Sequence, residues 1–382
     1  MDAADYVTQA DRAAAAGNLR EAEHLLRKAV EENPPEPVLL LKLAGLQRAN
    51  GEPDAALQTV ERALAVSPRD FTALLLRASL LERAGSRGAA AAWSHALAQR
   101  PADDLPPHLV QVVAQAERRV EEWTVARDKQ MAAAMEHAES AADEAERARI
   151  NRFRSNRLRR TRHYHSEPTD FHYPGLRELE FHPRHLFPWL EDVEAKIDTL
   201  AGELRAVMSA ERAELVPYVQ YDDHLPMDQW RPLNRNLDWT AIHLIKNGAA
   251  VEANTRHCRA TMDLLKRLPQ PRIRGTGPNA MFSLLAPHTQ IPPHVGVSNA
   301  RLVCHIPLVV PPGCWFRVGA ETRPWKVGEG FVFDDTIEHE AMNPTDELRV
   351  VFIFDIWHPD LSAIERDAVA ALISSECGSG DL

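Results

Sequence analysis

The feature that most constrains this chain is a repeat at its start. Three stretches, "GNLREAEHLLRKAVEENP", "GEPDAALQTVERALAVSP" and "GSRGAAAAWSHALAQRP", begin at Gly17, Gly51 and Gly85 and close at Pro34, Pro68 and Pro101. The period is 34 residues, with one deletion in the third stretch. Small residues recur at Ala22, Ala56 and Ala90 and again at Ala29, Ala63 and Ala96, where close helix packing would need them. Between the stretches, "VLLLKLAGLQRANG" and "FTALLLRASLLERAG" align Leu41 with Leu75 and Ala44 with Ala78. A period of this length means stacked units that share one core, because no single unit can bury its apolar face alone.

The pattern resembles the tetratricopeptide repeat, in which each unit is a helix, a turn and a second helix. Residues 1–104 are therefore expected to form an all-α solenoid of about three units. Its concave face would hold a protein partner, or its helices would brace the rest of the chain. From Leu105 to Ile150 the sequence is rich in Ala, Glu and Arg, with no glycine and no proline after Pro107, which predicts one long helix. Eight arginines follow between Arg147 and Arg162, and residues 105–170 read as a long helix plus a basic linker. The run reads as a nucleic-acid arm or an acidic-partner patch, or, favoured by the formal net charge of −11, as a solvated helix end or a linker clamped onto an acidic surface of the same chain. A general nucleic-acid binder needs a surplus of Lys and Arg.

No run of about 18 uncharged apolar residues occurs, so no membrane span is expected, and the acidic start "MDAADYVTQADRAAAAGN" lacks the pattern of a signal peptide. A cytoplasmic protein is the expectation. The four cysteines are scattered, which indicates neither a disulfide framework nor a cysteine zinc site.

From "SEPTDFHYPGLRELEF" onward the chain changes character, and residues 171–366 read as a second domain with 367–382 as a tail. Short runs such as "AMFSLLA", "RLVCHIPLVV", "GFVFDD" and "LRVVFIFDIW" alternate apolar and polar residues between turns, which predicts a β-sandwich or jelly-roll barrel. Two histidine segments stand out there: His294 in "PPHVGVSNARL", and His339 in "FDDTIEHE", 45 residues later. Arg349 lies inside the strand-like "LRVVFIF", where a guanidinium needs an anionic partner. Two neutral imidazoles suit iron, and an interior arginine suits the far carboxylate of a dicarboxylic cosubstrate. Each residue alone also reads as an ordinary hydrogen-bonded core group. The usual two-His-one-carboxylate set as H-x-D is missing, since Gly296 holds the third position.

The block from "MFSLLAPHTQIPPHVGVSNARLVCHIPL" through "FDDTIEHEAMNPTDELRVVFIFDIWHPDLS" resembles the aspartyl/asparaginyl β-hydroxylase family, with likeness extending upstream over roughly residues 171 to 365. That resemblance implies a double-stranded β-helix (jelly-roll, cupin-like) oxygenase that uses Fe(II), 2-oxoglutarate and O2 as cosubstrate. It agrees with Gly296, because the family holds iron with two histidines alone. It implies His294 and His339 as the iron ligands and Arg349 as the anchor for the 2-oxoglutarate side-chain carboxylate. Ser283 and His305 match residues that contact the same cosubstrate, and Arg301 would face cosubstrate or substrate. Val303 and Ile245 stand where the best known animal members have an arginine and a tryptophan lining the site. The implied reaction is hydroxylation of an unactivated carbon, first of all the β-carbon of Asp or Asn in a peptide or protein. The alternatives are a small-molecule or lipid substrate, or a repeat-based scaffold whose oxygenase domain is inactive or senses 2-oxoglutarate. Asp334 and Asp335 read as turn caps or as partners of an imidazole, and Trp315, Trp325 and Trp357 as sheet packing.

Overall fold

A computed structural model describes residues 2–32, 36–102, 104–210, 215–222, 224 and 229–376. The chain forms two compact units, Met1–Arg160 and Thr161–Leu382. Among the described residues no helix is long and apolar enough to cross a membrane.

The first unit is helical. Its repeats are the pairs α1 (Ala3–Ala15) with α2 (Leu19–Glu32), α3 (Pro37–Ala49) with α4 (Pro53–Val66), and α5 (Phe71–Arg83) with α6 (Ala89–Leu97). Gly17, Gly51 and Gly85 all have positive φ, of 81°, 83° and 65°, so each inter-helix turn uses the left-handed conformation that glycine adopts without a Cβ penalty. The same cap bond recurs each time: Asn18 N to Ala13 O, Glu52 N to Gln47 O and Ser86 N to Leu81 O, each 2.9 Å. Ala22, Ala56, Ala29, Ala63, Ala96, Ala44 and Ala78 are all fully buried. Ala90 departs from the expected pattern: α6 starts late, at Ala89, so Ala90 lies in its first turn and is only half-buried. Pro34, the expected end of the first stretch, lies outside the described residues.

The long helix expected over 105–150 is two helices, α7 (Pro107–Ala141) and α8 (Glu144–Arg157). The break falls where Ala142 turns extended and Asp143 caps α8, with Glu146 closing a reciprocal capping box. Arginines of the basic run fold back onto this pair. Arg154 meets Asp128 at 3.2 Å and Glu139 at 3.1 Å, and Arg160 meets Asp128 at 2.6 Å.

The second unit is a layered α/β arrangement. Its larger sheet runs β1 (Leu215–Pro217), β2 (Trp239–Lys246), β4 (Ala280–Leu285), β11 (Arg349–Trp357), β6 (Arg301–Val309) and β9 (Phe331–Phe333), with β3 (Ala249–Ala250) paired to β2. The smaller sheet runs β5 (Thr289–His294), β10 (His339–Asn343), β7 (Trp315–Val318) and β8 (Glu321–Pro324). Every strand pairing is antiparallel. Pro292, Pro293 and Pro324 sit on the two edge strands of the smaller sheet, the first two opposite a register shift in the β5–β10 ladder, both places that tolerate a missing N–H.

Strand alternation divides the larger sheet into two faces. Phe282 and Leu284 of β4, Val350, Phe352 and Phe354 of β11, and Leu302, Cys304 and Ile306 of β6 pack against α9 (Leu190–Glu194), α10 (Ile197–Met208) and α12 (Arg259–Leu265). Leu285, Val351, Val303 and Phe333, on the opposite face, join Ile291, Phe316, Val318 and Ala341 of the smaller sheet in a second core. The short helix α11 (Glu252–Thr255) follows β3.

Both ends of this unit reach beyond the expected boundaries. Glu167 N donates to Thr336 O at 2.8 Å and Thr169 N to Gly296 O at 3.0 Å, so the last part of the expected linker is hydrogen-bonded onto the loops that carry the histidine segments. The expected tail from 367 is, through Glu376, the body of helix α13 (Ala363–Glu376), whose Val369 and Ile373 pack with Trp357, Leu361 and Ile273. Apolar burial makes this segment part of the domain.

Candidate functional site

The alternation that separates the two cores also builds the site. Ser283 on β4, Arg301 and His305 on β6 and Arg349 on β11 all point to the inter-sheet face, and with His294 and His339 they line one cavity of about 290 Å³. All six residues singled out from the sequence meet there. A slip of one residue in the pairing of any of these strands would turn its polar group into the apolar core behind.

His294 ends β5 and His339 begins β10, and antiparallel pairing sets the two directly opposite each other, with ring centroids 4.0 Å apart. His294 Nδ1 bonds to Pro292 O at 2.8 Å and His339 Nδ1 to Ile337 O at 3.1 Å. A carbonyl only accepts, so each Nδ1 carries the proton and each Nε2 keeps its lone pair. Burial lowers the pKa of both rings, most strongly for His339, where the neighbouring His294 adds to the effect. Two neutral, oriented imidazoles, His339 buried and His294 half-buried, are what a divalent transition metal asks of a pair of histidines. No group of three or more His, Cys, Asp or Glu positioned to hold a metal occurs among the described residues. The two free Nε2 atoms fit a transition-metal ion that takes two histidines and leaves its other positions to small ligands.

Gly296 and Asp335 explain why no carboxylate stands two residues after His294. A Cβ built on Gly296 would lie 2.1 Å from Asp335 Oδ2, so the Asp335 carboxylate occupies that space and only glycine fits. Asp335 Oδ2 pairs with Arg301 at 3.1 Å, while its Oδ1 is buried without a hydrogen-bond partner. Burial raises the Asp335 pKa and Arg301 opposes that rise. Asp334 is a turn cap: its Oδ1 accepts from Thr336 N at 3.0 Å and Thr336 Oγ1 at 2.5 Å. Burial pushes it up to about 7.

Arg349 is 1% exposed and among the largest fully buried side chains of the protein. Its Nη1 donates to Ser283 O at 3.3 Å and Oγ at 3.4 Å, its guanidinium lies 4.9 Å from the Trp325 ring centre, and its Nε has no partner. Burial pushes its pKa down to about 10, so it stays cationic at neutral pH. A buried cation without a carboxylate costs several kcal/mol, and an anionic ligand would offset that cost. The remaining polar groups are arranged around it. Trp239 Nε1 donates to Ser283 Oγ at 3.1 Å, which leaves the serine proton free to be donated onward. Trp325 Nε1 donates to His305 Nδ1 at 3.3 Å, so a neutral His305 carries its proton on Nε2. Burial, and then the charge of Arg349, holds the His305 pKa well below its usual value.

Trp325 is thus a site residue and corrects the sheet-packing expectation: it lines the cavity, donates to His305 and lies against Arg349. Trp357 packs with α13. Val303 lines the cavity, whereas Ile245 is buried with Leu244 and Phe354 in the core on the helical side. Trp239, on the same strand as Ile245, faces the cavity. Tyr218 stacks on Trp239 at 3.8 Å, and Trp230 reaches His294 at 5.0 Å, giving an aromatic wall beside the histidine pair. Nothing in their spacing announced Trp230, Trp239 or Tyr218.

A family model described as aspartyl/asparaginyl beta-hydroxylase matches residues 194–359, and a tetratricopeptide repeat model matches residues 13–80. Aspartate beta-hydroxylase domain-containing protein 2 of Homo sapiens is 38% identical over 135 residues, 35% of this chain and 37% of that protein. Aspartyl/asparaginyl beta-hydroxylase of Homo sapiens is 30% identical over 186 residues, 48% of this chain and 24% of that protein. The Xenopus tropicalis aspartate beta-hydroxylase domain-containing protein 2 is 28% identical over 212 residues, 54% of this chain and 55% of that protein. The chain thus spans between about a quarter and about half of the length of these relatives. The solved structure of PcrH from Pseudomonas aeruginosa matches 31% of this chain and 89% of its own at 16% identity and a TM-score of 0.28. Residues 194–359, which hold all six singled-out side chains, match the aspartyl/asparaginyl β-hydroxylase family model, and residues 13–80 match the tetratricopeptide repeat model.

Proposed function

We propose that this protein is an Fe(II)- and 2-oxoglutarate-dependent oxygenase built on a double-stranded β-helix, which hydroxylates an unactivated carbon of a peptide or protein. The β-carbon of an Asp or Asn residue is the first target. The observation that carries this reading is the buried Arg349, whose Nε has no partner, in the same cavity as the facing pair His294 and His339.

His294 and His339 would hold the iron through Nε2, and Arg349 would take the side-chain carboxylate of 2-oxoglutarate, with Ser283 Oγ–H and His305 Nε2–H as further donors. Iron and cosubstrate supply the oxidising power: one O2 and one 2-oxoglutarate yield succinate, CO2 and one oxygen atom inserted into the substrate C–H bond. The work of this chain's own residues is binding and positioning. Pro292 O and Ile337 O fix the two imidazole tautomers, and Trp325 fixes that of His305. The aromatic wall of Tyr218, Trp230 and Trp239 packs beside His294 and would narrow the approach to it. The repeat unit would present the polypeptide, a role consistent with the concave surfaces such solenoids form.

Anaerobic titration with Fe(II) and then 2-oxoglutarate tests the reading. The visible charge-transfer band of a chelated keto acid is expected in the wild type and absent in His294→Ala. No band under well-reduced conditions would leave the sheets a scaffold and move the search for function to the repeats.

A further inference from the structure

Beside Arg349 and the histidine pair, the cavity has a second polar group: Arg301, Asp335, Asp355, Asn279 and Tyr218. Arg301 is the only cation in it among the described residues, and both of its terminal nitrogens are engaged, Nη2 with Asp335 at 3.1 Å and Nη1 with Asp355 at 3.2 Å. Burial by itself would lower the Arg301 pKa, but the two carboxylates hold it above its ordinary value. Asp355 is satisfied in turn, since its Oδ2 accepts from Asn279 N at 2.7 Å and Asn279 Nδ2 at 3.2 Å. One polar atom of the cluster is left without a partner. Asp335 is 7% exposed, lines the cavity, and its Oδ1 is buried with no partner.

An open carboxylate oxygen accepts hydrogen bonds and donates none. A substrate carboxylate placed here would meet two carboxylates and a guanidinium already shared between them, and Oδ1 would stay unpaired. An N–H donor would satisfy it, and Tyr218, which lines the same cavity stacked on Trp239, adds an aromatic neighbour that favours a cationic nitrogen or an amide over an anion. We propose that the substrate group seated beside Asp335 ends in nitrogen–hydrogen donors, an amide or a cationic nitrogen, and not in a carboxylate. This rests on the oxygenase reading above and narrows it: of the two residue types in the family's name, asparagine fits this cluster and aspartate does not.

The test uses the full chain with Fe(II), 2-oxoglutarate and air. It offers separate pools of randomised peptides, each with a fixed central Asp, Asn, Gln, Lys, Arg or His. Mass spectrometry reads the gain of one oxygen at the central residue, and succinate reads cosubstrate turnover. Oxidation of at least one nitrogen-ended pool should exceed that of the Asp pool by at least about tenfold, because a site built around a hydrogen bond rejects the analogue that leaves it unpaired. The Asn and Gln pools against the Lys, Arg and His pools separate the amide from the cation. In Asp335→Asn, which keeps the shape but replaces the pure acceptor, that ratio should fall about tenfold. Equal or preferential oxidation of the Asp pool overturns the proposal. So does a ratio unchanged in Asp335→Asn while the variant keeps its keto-acid band, and so does succinate formation with no pool oxidised. Absence of the keto-acid band in the wild type is a different failure: it removes the oxygenase reading, and this proposal with it.

Discussion

In the helical unit, the residues that pack together are neighbours in the chain: α1 lies on α2, α3 on α4, and Ala44 and Ala56 share one small core. In the sheet unit, His294 meets His339, and Ser283 meets Arg349 across a separation of 66 residues. The first unit repeats one solution to helix packing, so each part tolerates change as its copies do. The second gathers six polar side chains from five strands into a single cavity, and no part of it has a copy. Its site is correspondingly costly in buried polar groups, with Arg349 Nε and Asp335 Oδ1 lacking partners. A repeated solenoid and a single cavity without a copy are thus joined in one chain.

That contrast can be broken at several points. Arg349→Ala should have the largest effect, raising the dissociation constant for 2-oxoglutarate by about 30-fold to several thousand-fold, the range for truncating one partner of a buried charged contact. Isothermal or band titration measures it, and unaltered affinity would place the cosubstrate elsewhere. Gly296→Ala comes next: the added methyl must displace the Asp335 carboxylate, at a cost of about 1–3 kcal/mol in unfolding free energy, with a marked loss of turnover. Denaturant unfolding together with succinate formation would expose a variant that behaves as wild type.

A third effect depends on pH. Burial, then the neighbouring His358, pushes His182 down to about 3, so the unfolded chain binds a proton there that the folded chain does not between about pH 6.5 and 3. Stability should therefore fall as pH drops through that window, with this group contributing up to about 1.4 kcal/mol per pH unit. His182→Phe should flatten that acid limb in thermal melts across the range; an unchanged limb would assign it to other groups. The smallest effect is expected in the repeats, where Gly51→Ala at φ 83° should cost about 1–2 kcal/mol and leave cosubstrate turnover untouched. A fall in turnover would show that the two units do not act separately.

Much of the site was legible in the sequence because its residues sit in short dense motifs. His294, His305 and Arg301 lie within one twelve-residue stretch, and His339 and Arg349 within another eleven. Trp325 was not legible, since a tryptophan in a β-rich segment packs in a sheet far more often than it steers a histidine tautomer. The open oxygen of Asp335 was not legible either, because it depends on Gly296 giving up its space to a side chain 39 residues away. In the middle segment, composition favoured one continuous helix, and a local capping box at Asp143 overrode it.

The sequence by itself determined the repeat architecture, the strand alternation and the residue types that gather for chemistry, because periods of 34 and of two are local properties of the chain. Only the tertiary structure decided which of those residues face one another, which polar atoms remain open, and that Arg301 is held by two carboxylates. The physical reason is that pairing register and burial are properties of strands brought together from distant parts of the chain, and the charge state and free valence of a buried group are set by what those strands place around it.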